Sequence, residues 1–351
     1  MTNSEKEIEP FMEYIAKHKQ QIYQGIISNV PSQLPEKFGE MVKEYVNRQG
    51  KYARPALILL WCELFGGKIT KDVEMAASAM QCSEDWVLMH DDLQDGNEVR
   101  RGKPAAHILY GGPHSINAGD YLHMVNWKIV FDTYQEIKKT KGEEIAKRYY
   151  DKFYNMLLTT SEGQYYDMTL THSKDIMNFT IDDYFKSIYA KTAYYSVYGP
   201  MQMGAILAGA DEKTVEGIKK YGIPIGNAFQ IKDDLLDCLS TVEVLGKSVG
   251  NDIREGVKTP MLFSFVKEAS KEDLEKVKAI YAKERENKTE EDVKFVLDMF
   301  KKYNSYKYAE DLVDKLGQEA KEAFETETKN INNEFKTIGE NAIEKMIKRK
   351  K

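Results

Sequence analysis

Apolar residues recur three and four positions apart along most of the chain, the spacing that keeps one face of an α-helix turned inward. The pattern predicts helices over about 5 to 25, 36 to 48, 53 to 65, 71 to 95, 115 to 139, 143 to 171, 181 to 209 and 212 to 240, and through most of 258 to 349. Runs that alternate apolar and polar residues, as a half-buried strand requires, are nearly absent. Breaks fall at Gly66-Gly67, from Gly96 to Pro104, at Gly111-Gly112-Pro113, at Gly199-Pro200 and from Gly246 to Gly256. None reads as a flexible linker. One all-α domain spanning 1–351 is expected, with residues 269–351, more charged and without a chemical motif, as peripheral helices.

Composition changes this picture little. With 42% hydrophobic and 30% charged residues the chain can bury a large core, which excludes wholesale disorder. Nine prolines in 351 residues agree with a helical fold, because proline interrupts helix interiors and central strands. A net charge of -6 offers no basic field for nucleic acid, so no nucleic-acid partner is expected and any phosphate site must be local. Cys62, Cys82 and Cys238 are odd in number and widely spaced, and read as reduced core thiols. The polar start MTNSEKEIEPFMEY suggests neither a secretory signal nor a transmembrane segment, and a cytoplasmic location is expected. Lys348, Arg349, Lys350 and Lys351 read as a solvated basic tail.

The candidate chemistry lies in two acidic motifs. In HDDLQD, Asp91 and Asp95 are four residues apart, which on a helix sets both carboxylates on one face about 5–6 Å apart at Cβ. Gly96 should stop that helix, leaving the acids at the negative end of its dipole, where a cation is favoured. QIKDDLLD repeats the arrangement with Asp233, Asp234 and Asp237. Hard oxygen ligands without cysteine point to Mg2+ or Mn2+ rather than zinc. Three clusters combine Lys or Arg with glycine: GKYARP at 50 to 55, RRGKP at 100 to 104 and GKSVGNDIREGVKTP at 246 to 260. Arginine grips phosphate oxygens in pairs and lysine adds a mobile charge, so metal and cations together suit diphosphates.

GKYARP, HDDLQD with NEVRRGKP, His107 and Tyr110-Gly111, GQYYD at 163 to 167, YAKTA at 189 to 193, FQIKDDLLD at 229 to 237 and GKSVGND at 246 to 252 resemble the trans-isoprenyl diphosphate synthase family. These are the prenyltransferases that make farnesyl, geranylgeranyl and longer polyprenyl diphosphates. The resemblance implies an antiparallel helical barrel around a deep central cavity, usually a homodimer, with the acidic motifs facing each other at its mouth. It implies that Asp91 and Asp95 bind two Mg2+ ions and that Asp233, Asp237 and Asp252 help hold a third. Arg100, Lys191 and Lys247 match positions that bind the allylic diphosphate (dimethylallyl, geranyl or farnesyl). Lys51, Arg54 and Arg101 match those that bind isopentenyl diphosphate, and Thr192 and Gln230 match further active-site positions.

Two positions depart from that pattern. Glu84 stands among the isopentenyl diphosphate residues where His or Gln is usual, which is unfavourable unless it is protonated, turned away or paired with Lys51 or Arg54. In EGVKTP, Val257 stands where lysine is usual, and Lys258 follows one place later as the substitute cation. Product length in this family is limited one turn above the first motif, so Trp86 and Val87 are the candidate floor, with Trp86 sharing a face with Met89 and Cys82. The expected product is geranylgeranyl diphosphate, with farnesyl diphosphate as the alternative. A class I terpene cyclase and a non-catalytic subunit of a heteromeric synthase are the competing readings.

Overall fold

The computed structural model describes residues 9–239 and 249–348. Lys247, Gly246 and the terminal Arg349, Lys350 and Lys351 lie outside the described residues. Helices dominate, and among the described residues the sheet is a single two-stranded hairpin. The described residues group into two compact units, one drawn from Met1–Tyr154, Pro200–Gly217 and Thr328–Ala342, the other from Asn155–Gly199, Ile218–Glu327 and Ile343–Lys351.

In the first unit, α1 (Pro10–Ile27), α2 (Glu36–Arg48), α3 (Ala53–Leu64), α4 (Lys71–Gln94), α5 (Ala106–Tyr110) and α6 (Gly112–Lys141) follow in order. The hairpin β1 (Val99–Arg100) and β2 (Lys103–Pro104) separates α4 from α5. Between Arg54 and Glu63 the sequence of α3 is apolar on every side, and Pro55 to Cys62 are buried without a gap. Such a helix has no solvent face to lose. α4 is the packing centre, lying against α6, α3 and α1. Its Ala76, Ala77, Ser78, Ala79 and Ser83 are all buried, and small side chains let neighbouring helices approach closely.

In the second unit the later part of α7 (Glu143–His172) is followed by α8 (Ile181–Ile188), a π-helix (Tyr189–Tyr198) and α11 (Lys219–Leu239). The intervening α9 (Gly199–Leu207) and α10 (Glu212–Gly217) belong to the first unit apart from Gly199. α12 (Asn251–Glu255) to α15 (Glu290–Lys302) precede α16 (Ser305–Glu327). α16 lies along α11 and buries Ala309, Val313, Ala320 and Phe324. Thr180 with Asp183, and Thr289 with Asp292, form reciprocal capping boxes that satisfy helix-start N–H groups.

Two predicted boundaries move. The 181 to 209 helix is interrupted by the π-helix, whose i to i+5 bonding no periodicity signal separates from α. Gly199-Pro200 is no break: Gly199 is helical at φ -61°, and the chain runs from the π-helix straight into α9 through Pro200. The predicted break at Gly111-Gly112-Pro113 stands between α5 and α6, with Gly111 at φ +85° and Pro113 in the first turn of α6.

Candidate active site

The first acidic motif ends α4 as its glycine predicts. Gly96 takes φ +62°, its N–H reaches the Leu93 carbonyl at 3.4 Å, and the Asn97 N–H reaches the Asp92 carbonyl at 2.8 Å. These two bonds are a Schellman stop, and they hold Asp91 in the last helical turn with Asp95 as its cap. Asp92 points the other way. It is fully buried, accepts a 2.7 Å bond from the Tyr45 hydroxyl, and takes the Arg100 Nε on both oxygens at 2.8 and 3.0 Å. Burial opposes the Arg100 charge, but the bonds and attraction to Asp92 raise its pKa further. The same guanidinium stands 3.7 Å from Asp91.

Arg100 and Arg101 are aimed by the hairpin. Arg101 and Gly102 both have positive φ, +53° and +74°, the two-residue type I′ turn that matches strand twist. Arg101 donates to the Tyr45 carbonyl at 2.6 Å and pairs with Asp85 at 2.8 Å and Glu84 at 3.5 Å. Those contacts fix a backbone conformation that a non-glycine residue seldom adopts. Arg48, on α2, braces the hairpin from beneath. Its buried guanidinium donates to the carbonyls of Arg100 and Pro104, each at 2.8 Å, pairs with Glu44 at 2.9 Å and stacks over the Tyr45 ring.

Glu84 is paired, as its position demands: Arg54, in the first turn of α3, lies 3.1 Å from its second oxygen. Burial opposes its charge, yet Arg54 and Arg101 hold Glu84 below the usual carboxylate range. Burial pushes its neighbour Asp85 up to about 7 against the pull of Arg101, and the Glu84 charge adds to that rise. Lys51 is exposed in the preceding loop. Trp86 is half-buried rather than part of the sealed core; it donates to Asn126 at 3.4 Å and lies against the His123 ring at 4.2 Å. Val87 is also half-buried, whereas Met89 and Cys82 are fully buried.

The second acidic motif, in the second unit, repeats the construction. Asp234 is buried and accepts a 2.7 Å bond from the Tyr184 hydroxyl and a 3.0 Å bond from Gln230. Thr192 donates to the other end of Gln230 at 2.9 Å, which ties the π-helix to α11. Burial pushes Asp234 up to about 7, with Asp233 and Asp237 adding to the rise. Asp233 is exposed, and Asp237 accepts the Asp252 N–H at 2.9 Å, so Asp237 and Asp252 are brought together. Lys191 pairs with Asp167 at 2.7 Å.

Lys258 corrects an expectation. Its ammonium is buried, donating to the carbonyls of Ser173 at 2.7 Å and Gly256 at 3.0 Å beside the Tyr281 ring. Burial, together with Lys288, lowers it to about 8. It ties backbone and does not stand open to a diphosphate. The sequence reading also missed Asp92, Tyr45, Arg48, Asp85 and Tyr184. For Asp92 a signal existed, because it is one residue, or about 100°, away from Asp91 around the helix.

Lys191 and Thr192 sit on the π-helix, and two glycines let neighbours press on its backbone. A Cβ on Gly163 of α7 would fall 2.3 Å from the Lys191 nitrogen, and one on Gly226 of α11 would fall 2.4 Å from the Ala193 Cα.

Among the described residues no three or more His, Cys, Asp or Glu side chains come together as a closed metal cage, so any ion would rest on a few aspartates and on groups from outside the chain. Magnesium is commonly held in this way, by one or two carboxylates with substrate phosphates completing its shell, so the donor chemistry fits.

Residues 35–300 match the polyprenyl synthetase family. A short chain isoprenyl diphosphate synthase from Methanothermobacter thermautotrophicus is 31% identical over 298 residues, covering 85% of this chain and 87% of that protein. A geranylgeranyl diphosphate synthase from Sulfolobus acidocaldarius is 34% identical over 266 residues, 76% of this chain and 77% of that one. Among solved structures, a geranylgeranyl pyrophosphate synthase superposes with a TM-score of 0.83 at 28% identity, covering 96% of this chain and 99% of that chain. The chain belongs to the polyprenyl synthetase family, the trans-isoprenyl diphosphate synthases, and has their all-α isoprenoid synthase fold. It is a prenyltransferase acting on isoprenoid diphosphates.

Proposed function

We propose that the enzyme condenses isopentenyl diphosphate with dimethylallyl, geranyl or farnesyl diphosphate, and that its main product is geranylgeranyl diphosphate. The observation that carries this is the shared construction of the two motifs. In each, a tyrosine at 2.7 Å anchors the middle aspartate, which leaves Asp91 with Asp95, and Asp233 with Asp237 and Asp252, as the ligands for metal. The product assignment is supported by relatives named for geranylgeranyl diphosphate.

Magnesium, in three ions or with manganese as the substitute, would supply charge that stabilises the departing diphosphate. Arg100, held by Asp92, adds positive charge to the allylic diphosphate, and Lys191 and Lys247 add more. Thr192 and Gln230, locked to each other, line the place where the allylic carbon becomes cationic. Lys51, Arg54 and Arg101 hold isopentenyl diphosphate so that its double bond attacks that carbon. The proton then lost goes to the released diphosphate, in keeping with a mechanism that uses no histidine or cysteine base.

A homodimer is proposed as well. Ile116, Met124 and Phe131 recur along one side of α6 and are exposed, and an apolar stripe of that kind suits a second copy. Light scattering should give twice the chain mass. A cytoplasmic location is proposed, in keeping with the buried free thiols of Cys62, Cys82 and Cys238; no described helix is long and apolar enough to cross a membrane.

The deciding assay combines purified protein, magnesium, radiolabelled isopentenyl diphosphate and each allylic primer in turn. Geranylgeranyl diphosphate is the expected product. Cyclised hydrocarbon, or inactivity with every primer, would overturn the reading. Trp86→Ala removes the largest side chain one turn above the motif and is expected to lengthen the product, as chromatography of the prenyl alcohols would show; an unchanged distribution sinks Trp86 as the floor.

A further inference from the structure

Four side chains of the first unit form one charge-balanced group. Arg54 lies 3.1 Å from one oxygen of Glu84, Arg101 lies 3.5 Å from the other, and Arg101 is also 2.8 Å from Asp85. The carboxylates are the more shielded members, with side chains 11% and 1% exposed, against 26% for Arg54 and 13% for Arg101. Two positive and two negative charges cancel. Each Glu84 oxygen occupies a position on a guanidinium that a phosphate oxygen would otherwise take.

Arg54 and Arg101 supply most of the attraction that keeps Glu84 charged, and Arg100, committed to Asp92, adds less. Gln81 donates to Asp85 at 3.2 Å from the same helix. Tyr52, from the loop before α3, is buried with its hydroxyl lacking a hydrogen-bond partner. Burial, then Asp85, push its ionisation up. Lys19 of α1 lies over the Tyr52 ring at 5.2 Å, and Tyr23 of the same helix also acts on Tyr52.

We propose that Glu84 is an internal counter-anion that the diphosphate of the homoallylic substrate must displace from Arg54 and Arg101, so that this one carboxylate sets the affinity for that substrate. The inference rests on the reading of Arg54 and Arg101 as the isopentenyl diphosphate groups. A diphosphate entering an electrically neutral group gains little attraction until Glu84 swings away, and Glu84 then loses the guanidinium that balanced its burial. Proton uptake accompanies the exchange. Asp85, already pushed up to about 7, is held down by Arg101; when the diphosphate draws Arg101 off, Asp85 rises further and binds a proton near neutral pH. Binding therefore weakens as pH rises through 7 and above.

Glu84→Gln keeps the shape and removes the charge. It is expected to lower KM for isopentenyl diphosphate about tenfold at pH 8, while KM for the allylic substrate moves less than about twofold, as loss of one like charge beside an anion implies. The pH at which the isopentenyl KM begins to climb should move to lower values, because Asp85 no longer feels the Glu84 charge. Comparing the two proteins cancels the titration of the substrate itself. Calorimetric titration with isopentenyl diphosphate should give the same ratio in Kd without turnover, and Glu84→Ala should act in the same direction if the glutamine variant melts early. An isopentenyl KM that is unchanged or raised would overturn the proposal and make Glu84 a support for the arginines. Failure of wild type and variants alike to bind isopentenyl diphosphate would remove the proposed function itself, and the inference with it.

Discussion

Asp91→Ala is expected to lower turnover by about a thousandfold while leaving the helical content and melting behaviour close to those of the parent. The size follows from the role, since charge stabilisation at a departing group is commonly worth a factor of about 10² to 10³ for each preorganised partner removed. The selectivity follows from the structure. The Schellman stop uses backbone only, and the buried bonds of the α4 terminus run among Asp92, Tyr45 and Arg100, to which Asp91 adds only a partly exposed ion pair with Arg100 at 3.7 Å. Removing an acid from the negative end of a helix dipole also relieves repulsion, so stability should hold or rise slightly. Turnover within about tenfold of wild type would strike Asp91 from the metal ligands. Circular dichroism of the same sample would separate that outcome from unfolding.

Gly163→Ala should be nearly as damaging by a different route. Its new methyl would sit 2.3 Å from a backbone nitrogen of the π-helix, and backbone cannot swing aside as a side-chain tip can. α7 or the π-helix must retreat, at a cost of about 1–3 kcal/mol or somewhat more for overpacking. A shift of about 1 Å in a catalytic group is enough to lose a factor of about 10². Turnover should therefore fall about a hundredfold with a lowered melting temperature, whereas a neighbouring exposed substitution such as Glu162→Ala should change neither appreciably. Wild-type kinetics in Gly163→Ala would mean that the π-helix has room to move without carrying Lys191 and Thr192 out of place.

The fold was legible because helical periodicity is a local property, and α2 coincides with its predicted span of 36 to 48. Gly96 could be read as a stop, since a left-handed residue after a helix is a local requirement too. What escaped depended on partners distant in sequence. Arg48 reads as one more surface cation on an amphipathic helix until the hairpin carbonyls 52 and 56 residues away are placed over it. Tyr45 and Tyr184 read as core aromatics, and nothing in their neighbourhoods says that their hydroxyls end on Asp92 and Asp234. Lys258 looked like a displaced phosphate ligand because sequence shows charge but not burial. Glu84 was noticed as an anomaly, and the structure supplies the two arginines that explain how it is tolerated.

The Asp92 to Arg100 bond has a consequence for how this part of the gene can change. One end is pinned by the last turn of α4, the other by a hairpin with a two-residue turn, and Arg48 fastens that hairpin to α2. The connecting residues Asp95 to Val99 therefore act as a ruler of fixed length. A single inserted codon between Gly96 and Val99 would leave HDDLQD and RRGKP intact on paper while adding a residue to a connection whose two ends are already fixed, so that Arg100 could not meet Asp92 with the hairpin still seated on Arg48.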